Sequence, residues 1–389
     1  MKSPNWKLVA GVLLVIFAII VAWRLTRSVS PYVPPNSRDF HGSGTVDDAT
    51  ARRLQTILDQ DLNKLKIPGM QAYIRTANGK TWSGASGNTD LGRKNAMQSD
   101  HILRVGSVTK TFTAIIILKL VEEGNLSLDD LLARWYPDFP NAERITIRQL
   151  LNHTSGIPEI IPKILMKSII PSTYWQTQKL VEIAAGEKPL FTPGSAFSYS
   201  NANYILLGLI AEKVTGKAAI QLLHDIIIDP LSLQHTFFVP YEQAPAAFVP
   251  GWDRDLSHFP GMLDIGVKNT SWATGAYTSG ALISNASDLA TFYENLFDGA
   301  LLSPTMVKEM TAYIDAPNPG FAEQTGYGLG LMQLDIDGQE LVGHVGEFMG
   351  STAIALVSPT EKYTIVVVCD LSFPKLTDVV ADLQSEINK

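Results

Sequence analysis

The chain of 389 residues predicts an α+β fold, a sheet with flanking helices and an inserted, mainly helical lobe. Three observations lead there. Strand-like segments occur near the start of the domain and again in its last third. Helical patterns separated by Pro- and Gly-rich loops fill the stretch between them. Helical periodicity also opens and closes the domain, at Ala49 to Lys64 and at Thr377 to Lys389. The domain is expected over 49–389, with the helical lobe over about 101–260. No internal repeat interrupts this plan.

Leu8 to Trp23 is an uninterrupted run of apolar or small residues, with Lys2 and Lys7 before it and Arg24 and Arg27 after it. It is slightly shorter than the ~20 residues that span a bilayer, but Arg24 can snorkel and Trp6 and Trp23 suit the interfaces. The run is long for a signal-peptide core, and no clear small-x-small cleavage site follows it. An uncleaved membrane anchor is expected over 1–27, with a cleaved signal peptide as the alternative. Residues 28–48, with Pro31, Pro34 and Pro35, read as a linker.

Leu54, Ile57, Leu58 and Leu62 share one face of the first helix. Strands are expected at Gly69 to Thr76 and Lys80 to Gly84, joined by the hairpin signal Asn78-Gly79. Thr109 to Glu123 is apolar and helical, and Gly124-Asn125 stops it. Tyr204 to Thr215 forms a helix ended by Gly216, and Asp288 to Phe297 forms another behind the cap region Asn285-Ala286-Ser287. Further strands are expected at about Gly328 to Leu334, Gln339 to Val342, Gly350 to Ser358 and Lys362 to Cys369.

Composition narrows the function. Hydrophobic residues make up 46% of the chain and charged residues 18%, which is globular. The net charge of −7, without a long basic run, argues against a nucleic-acid partner. Cys369 is the sole cysteine, so no intramolecular disulfide forms. The seven histidines, at 41, 101, 153, 224, 235, 258 and 344, show no metal-ligand spacing, and no cofactor motif is present. The G-x-S-x-G elbow of the α/β-hydrolases is absent.

Chemistry concentrates in three segments. In Ser107-Val108-Thr109-Lys110 the serine stands at a helix N-terminus, where free N–H groups favour negative charge, and the lysine shares its face. A serine hydroxyl attacks only when something takes its proton, and a lysine held neutral by burial can do so. A second match, Ser372-Phe373-Pro374-Lys375, follows a strand, contains a proline and starts no long apolar helix inside the motif. In Tyr199-Ser200-Asn201, placed on a loop, Tyr199 offers a general base or a phenol for Lys110, and Asn201 offers a donor and acceptor for a substrate amide. A bland reading has Asn201 capping the next helix and Tyr199 packing its ring. In Gly343-His344-Val345-Gly346 small residues let a substrate backbone approach. The N–H groups of Ser107 and Glu347 are a candidate oxyanion hole. His153, in the turn Asn152 to Gly156, is expected to be structural.

These segments, in this order, resemble the penicillin-recognising serine hydrolases, in the branch holding class C β-lactamases, some D-Ala-D-Ala carboxypeptidases, D-aminopeptidases and related esterases. The blocks LRVGSVTKTFT (103–113), LLNHTSGIP (150–158), PGSAFSYSNANYILLGLIAEKVTG (193–216), Tyr327 to Gly330 and Gly343 to Gly350 carry the likeness, which covers about Ala49 to Lys389. The resemblance implies a β-lactamase/transpeptidase-like antiparallel sheet. It implies Ser107 as acylated nucleophile, Lys110 as its activator, Tyr199 as partner in proton transfer and Asn201 as a substrate contact. His344 stands where β-lactamases usually carry a lysine, which weakens the expectation of strong β-lactamase activity. If His344 bound a substrate carboxylate, affinity would fall as pH rises through ~6.5, while Gly346 and Glu347 are expected to meet the substrate through their backbone.

The expected function is therefore a serine hydrolase acting on a small-molecule or peptide substrate. A D-Ala-D-Ala carboxypeptidase-like or related D-peptide hydrolase leads. The anchor favours an envelope peptide such as a peptidoglycan stem peptide, with the catalytic domain extracytoplasmic. A weak β-lactamase, a carboxylesterase and a non-catalytic envelope-binding protein are the alternatives. Oligomeric state is not legible in the sequence.

Overall fold

The computed structural model describes residues 42–90, 95–168, 174–253, 263–264, 270–318 and 321–389. The expected anchor, Leu8 to Trp23, lies outside them. Among the described residues no helix is long and apolar enough to cross a membrane.

The main antiparallel sheet runs in the order Ser43–Gly44, Thr81–Gly87, Gly69–Arg75, Thr364–Cys369, Ser351–Val357, Gln339–Phe348, Met332–Ile336, Gln324–Tyr327, Ile314–Asp315. The N-terminal hairpin joins the C-terminal strands through the register Val367↔Ala72. Ser43 and Gly44, within the expected linker, instead pair with Ser83 and Trp82 at the sheet edge.

Side-chain alternation along the central strands explains how this sheet is covered on both faces. Ile365, Val367 and Cys369 join Leu54, Leu58 and Leu62 of the helix Asp48–Leu65, with Val379, Val380 and Leu383 of the helix Leu376–Ile387. Val366 and Val368 face the other way, into a core with Leu289, Phe292 and Leu296 of the helix Ala286–Phe297. Asn285 caps that helix, its Oδ1 accepting the Asp288 N–H at 2.8 Å. Asp47 caps the first helix in the same way, through the Thr50 N–H at 2.9 Å.

The helix Thr109–Glu122 is buried at every position from Thr109 to Leu118 and again at Leu120, so it is a core helix. It packs between the helical lobe and the sheet, and Phe112 stacks on Phe292 with ring centroids 3.6 Å apart. The helix Asn201–Thr215 lies against it and ends at Gly216, whose φ of 70° is the left-handed C-cap. A small sheet of Leu103–Arg104, Leu282–Ser284 and Phe237–Phe238 holds the segment that leads into Ser107.

Ile365 is fully buried on the central strand, so Ile365→Ala is expected to cost about 2–5 kcal/mol in urea-denaturation experiments. A loss below about 1 kcal/mol would contradict this packing.

Candidate active site

Ser107 lies in a single tight turn, Gly106–Val108, that feeds directly into the helix Thr109–Glu122. Gly106 has φ 48°, and a side chain there would stand 2.5 Å from the backbone oxygen of Glu347. A side chain at Gly346 would stand 1.8 Å from the Val105 carbonyl oxygen and 3.0 Å from the Ser107 nitrogen. Both glycines are therefore required by the close approach of two backbones, the nucleophile turn and the strand Gln339–Phe348.

The ladder explains which peptide groups face the turn. Phe348 and Ser351 close a two-residue hairpin and form its hydrogen-bonded pair. The next pair, Glu347 and Thr352, is then the non-bonded type, so the Glu347 N–H and C=O point away from Ser351–Val357. On the other side, pairing with Met332–Ile336 ends at Gly343. The Glu347 peptide thus faces the turn that carries the Ser107 N–H, the arrangement an oxyanion hole requires.

One turn along the helix, Lys110 is fully buried. Its Nζ donates to Ser107 Oγ at 2.9 Å, to Asn201 Oδ1 at 2.7 Å and to the Ser279 carbonyl at 2.8 Å. Three acceptors match the three protons of an ammonium. A neutral amine keeps two of these donations, and its lone pair then faces Ser107. Burial pulls the Lys110 pKa down to about 7, against a smaller upward pull from the Glu159 carboxylate. The group is thereby poised to exchange a proton with Ser107 near neutrality.

Tyr199 presents its ring to Lys110, with Nζ 4.8 Å from the centroid. Its phenol has a pKa held well above the usual value by burial first and then by Tyr327, although it faces Ser107, which lowers that pKa somewhat. It is a neutral phenol here, so of the two candidate bases Lys110 is the better and Tyr199 is a proton donor or relay. His153 stacks beneath it at 4.3 Å. The loop is fixed by that same imidazole, whose Nδ1 accepts the Ser200 N–H at 3.2 Å and the Asn203 amide at 3.0 Å.

Asn201 is the first residue of its helix, not the cap. Glu159 accepts both its backbone N–H and its Nδ2, each at 2.8 Å. This orients Oδ1 toward Lys110 and leaves one Nδ2 proton for a substrate. Glu159, with its second oxygen on the Ile161 N–H at 2.7 Å, went unidentified in the sequence reading. It sits one residue beyond the block that ends at Pro158, and a carboxylate there carries no signal by itself. The Ser279 carbonyl was equally invisible, because a backbone acceptor has no side-chain signature.

His344 departs from expectation. Its ring is fully buried, with Nδ1 donating to the Val345 carbonyl at 2.6 Å and Nε2 accepting from the Tyr327 hydroxyl at 3.0 Å. Burial and the Lys110 charge push its pKa down to about 3. Buried and with both ring nitrogens engaged, this imidazole is held neutral rather than offered as a cation to a substrate carboxylate, against the expectation of a titration near ~6.5. The Glu347 side chain is exposed, though partial burial of its carboxyl raises its pKa, and it acts least of the groups bearing on the Tyr199 phenol. The second S-x-x-K serves structure. Ser372 Oγ accepts the Gly350 N–H at 2.6 Å, and Lys375 pairs with Glu323 and Asp378 at 3.2 and 2.9 Å.

A serine, a buried lysine and a phenol meeting under a sheet edge, with a helical insertion above, define the active-site serine hydrolases of the S-x-x-K type. The chain belongs to the β-lactamase family, whose profile, described as Beta-lactamase, matches residues 54–388. It is 28% identical over 346 residues to Protein flp of Staphylococcus aureus (strain MW2), covering 86% of this chain and 66% of that protein. With Penicillin-binding protein 4* of Bacillus subtilis (strain 168) it shares 25% identity, over 72% of this chain and 63% of that protein. The chain therefore spans just under two thirds of the length of these relatives. Among solved structures, the D-amino acid amidase from Ochrobactrum anthropi SV3 superposes with a TM-score of 0.80 at 27% identity, over 87% of this chain and 99% of that one. A D-stereospecific amidohydrolase from Streptomyces sp. gives 0.74 at 31%, over 84% and 96%.

Acylation of the protein by a fluorophosphonate is expected to accelerate as pH rises through about 7, where Lys110 loses its proton. Glu159→Gln removes a charge that raises this pKa, so the midpoint should move lower; an unmoved midpoint contradicts the assignment. Gly346→Ala should slow acylation by about 10²- to 10³-fold, the cost of displacing one oxyanion donor, with the circular dichroism spectrum unchanged.

Proposed function

We propose that this protein hydrolyses D-amino acid amides or short D-peptides through an acyl-enzyme on Ser107. The observation that carries the reading is the contact of the fully buried Lys110 Nζ with the half-buried Ser107 Oγ at 2.9 Å. Neutral Lys110 takes the Ser107 proton as Oγ attacks the scissile carbonyl. The oxyanion forms against the N–H groups of Ser107 and Glu347. Tyr199 gives its proton to the departing nitrogen as the C–N bond breaks and is reprotonated by the Lys110 ammonium, which leaves Lys110 neutral again. Water then attacks the acyl-serine ester with Lys110 taking its proton, and the ester C–O bond breaks as that proton returns to Ser107 Oγ.

Two features favour recognition of a free amine over a C-terminal carboxylate. Glu159 and Glu347 both bear electrostatically on the Tyr199 phenol, and a negative field repels a carboxylate and attracts an ammonium. His344 is neutral and hidden. The names of the two solved structures, an amidase and an amidohydrolase with D-selectivity, agree with this direction. The D-Ala-D-Ala carboxypeptidase expectation is the weaker variant of the same chemistry, because such an enzyme must hold an anion beside these carboxylates. We also propose that Leu8 to Trp23 anchors the protein with its hydrolase domain outside the cytoplasm.

The decisive comparison sets D-alanine amide and D-phenylalanine amide against N-acetyl-D-Ala-D-Ala, each with its L-isomer. Turnover of the free-amine D-amides, above that of the acetylated dipeptide, is expected. Preference for the acetylated dipeptide would reverse the proposed polarity. Ser107→Ala should abolish turnover and fluorophosphonate labelling. Lys110→Met should lower kcat/KM by about 10²- to 10⁴-fold, the usual contribution of a general base.

A further inference from the structure

Of the three oxygens around Lys110 Nζ, that of Ser279 alone belongs to the main chain. Its position is therefore set by the backbone of the short turn Tyr277–Ser279. Tyr277 opens that turn with φ 45°, in the left-handed region that bulky L residues rarely enter. A conformation of this kind persists only where the surroundings impose it.

Here the constraint comes from the helix Asn201–Thr215. The Tyr277 side chain is buried, and its hydroxyl donates to Glu212 Oε1 at 2.7 Å. The same oxygen accepts the Ala219 N–H at 2.8 Å, which keeps the carboxylate in place. The ring lies against Tyr241 and Phe238, with centroids 5.5 and 5.7 Å away. Next in the chain, the Thr278 hydroxyl donates to the Tyr204 carbonyl at 2.8 Å. Gly208 makes room for it, since a side chain there would stand 2.3 Å from Thr278 Oγ1. The Thr278 carbonyl accepts the Thr113 hydroxyl at 2.7 Å, one turn beyond Lys110 on its own helix.

Tyr204, Gly208 and Glu212 recur every four residues, so they form one ridge of their helix. The first residue of that helix, Asn201, supplies another of the oxygens on Lys110. One helix thus governs two of the three acceptors. We infer that Tyr277 is a positioning residue for the reaction, clamped by Glu212 so that the Ser279 carbonyl points at Lys110 Nζ. This role rests on the reading of Lys110 as base. With Ser279 and Asn201 each taking one proton, the lone pair of the neutral amine is left facing Ser107. Once the Ser107 proton arrives, the same carbonyl stabilises the ammonium.

Tyr277→Phe removes the hydroxyl, keeps the ring and changes no charge. It leaves unaltered the groups that face Lys110: the Glu159 carboxylate, the imidazoles of His153 and His344, and the rings of Tyr199 and Tyr204. In the full chain the Lys110 titration, followed by NMR, should then centre about 0.5 to 1 pH unit below wild type, as a hydrogen bond to the ammonium weakens. The limiting rate of fluorophosphonate acylation should fall about 10- to 10²-fold, with its half-saturating concentration unchanged. Glu212→Gln, whose amide oxygen still accepts the phenol, should hold the wild-type midpoint, and Glu212→Leu should lower it. A Tyr277→Phe midpoint equal to wild type, even with a reduced Tm, overturns the assignment. So does a Glu212→Gln midpoint as low as that of Glu212→Leu. The difference from wild type decides the role of Tyr277 at any wild-type midpoint, whereas a wild-type midpoint near about 10.4 contradicts Lys110 as base.

Discussion

The structure depends on keeping one ammonium group out of water. Lys110 lies in the buried stretch of its helix, and its Nζ is surrounded by three oxygens drawn from three separate parts of the chain: Ser107, Asn201 and Ser279. The desolvation that makes the charged form costly is also what brings its pKa to about 7. A lysine in water at neutral pH is almost wholly protonated and has no lone pair to offer. Burial of this helix is therefore as much a part of the chemistry as the serine.

The surrounding elements can be understood as holding those oxygens in place. Glu159 fixes the rotamer of Asn201 through two hydrogen bonds. His153, itself held neutral by burial, supports the loop that carries Tyr199 and sets the phenol against Ser107. The Thr109 hydroxyl donates to the Gly106 carbonyl at 2.7 Å and accepts the Leu282 N–H at 3.2 Å, tying the nucleophile turn to the small sheet. The close contact of Gly346 with Val105 sets the spacing between the two edges of the site. None of these groups touches the reacting carbonyl in the proposed mechanism, yet each fixes one that does.

Much of this plan was legible in the sequence, for reasons that can be traced to particular residues. Period-two apolar runs such as Thr364–Cys369 and caps such as Asn285 and Gly216 are local signals, and they placed most elements within a few residues of their observed bounds. The long strand Gln339–Phe348 was expected to stop at Val342, because Gly343 and Gly346 read as punctuation. They are strand residues whose missing side chains admit a neighbouring backbone, a tertiary demand that a local pattern does not carry. The helix expected at Tyr204 begins at Asn201 because a carboxylate from another loop, Glu159, serves its first N–H. His344 misled in the opposite sense. An imidazole was assigned the behaviour it has in water, whereas Tyr327 and the Val345 carbonyl hold it as a single neutral tautomer.

The most direct test of the account is the protonation of Lys110 itself. The Nζ and Cε resonances of this lysine, assigned by difference against Lys110→Met in the labelled full chain, can be followed by heteronuclear NMR from pH 5 to 11. A titration centred near 7 is the predicted result. A midpoint near the ordinary lysine value of about 10.4 would mean that the amine stays charged at neutral pH, and the proposed activation of Ser107 would be contradicted.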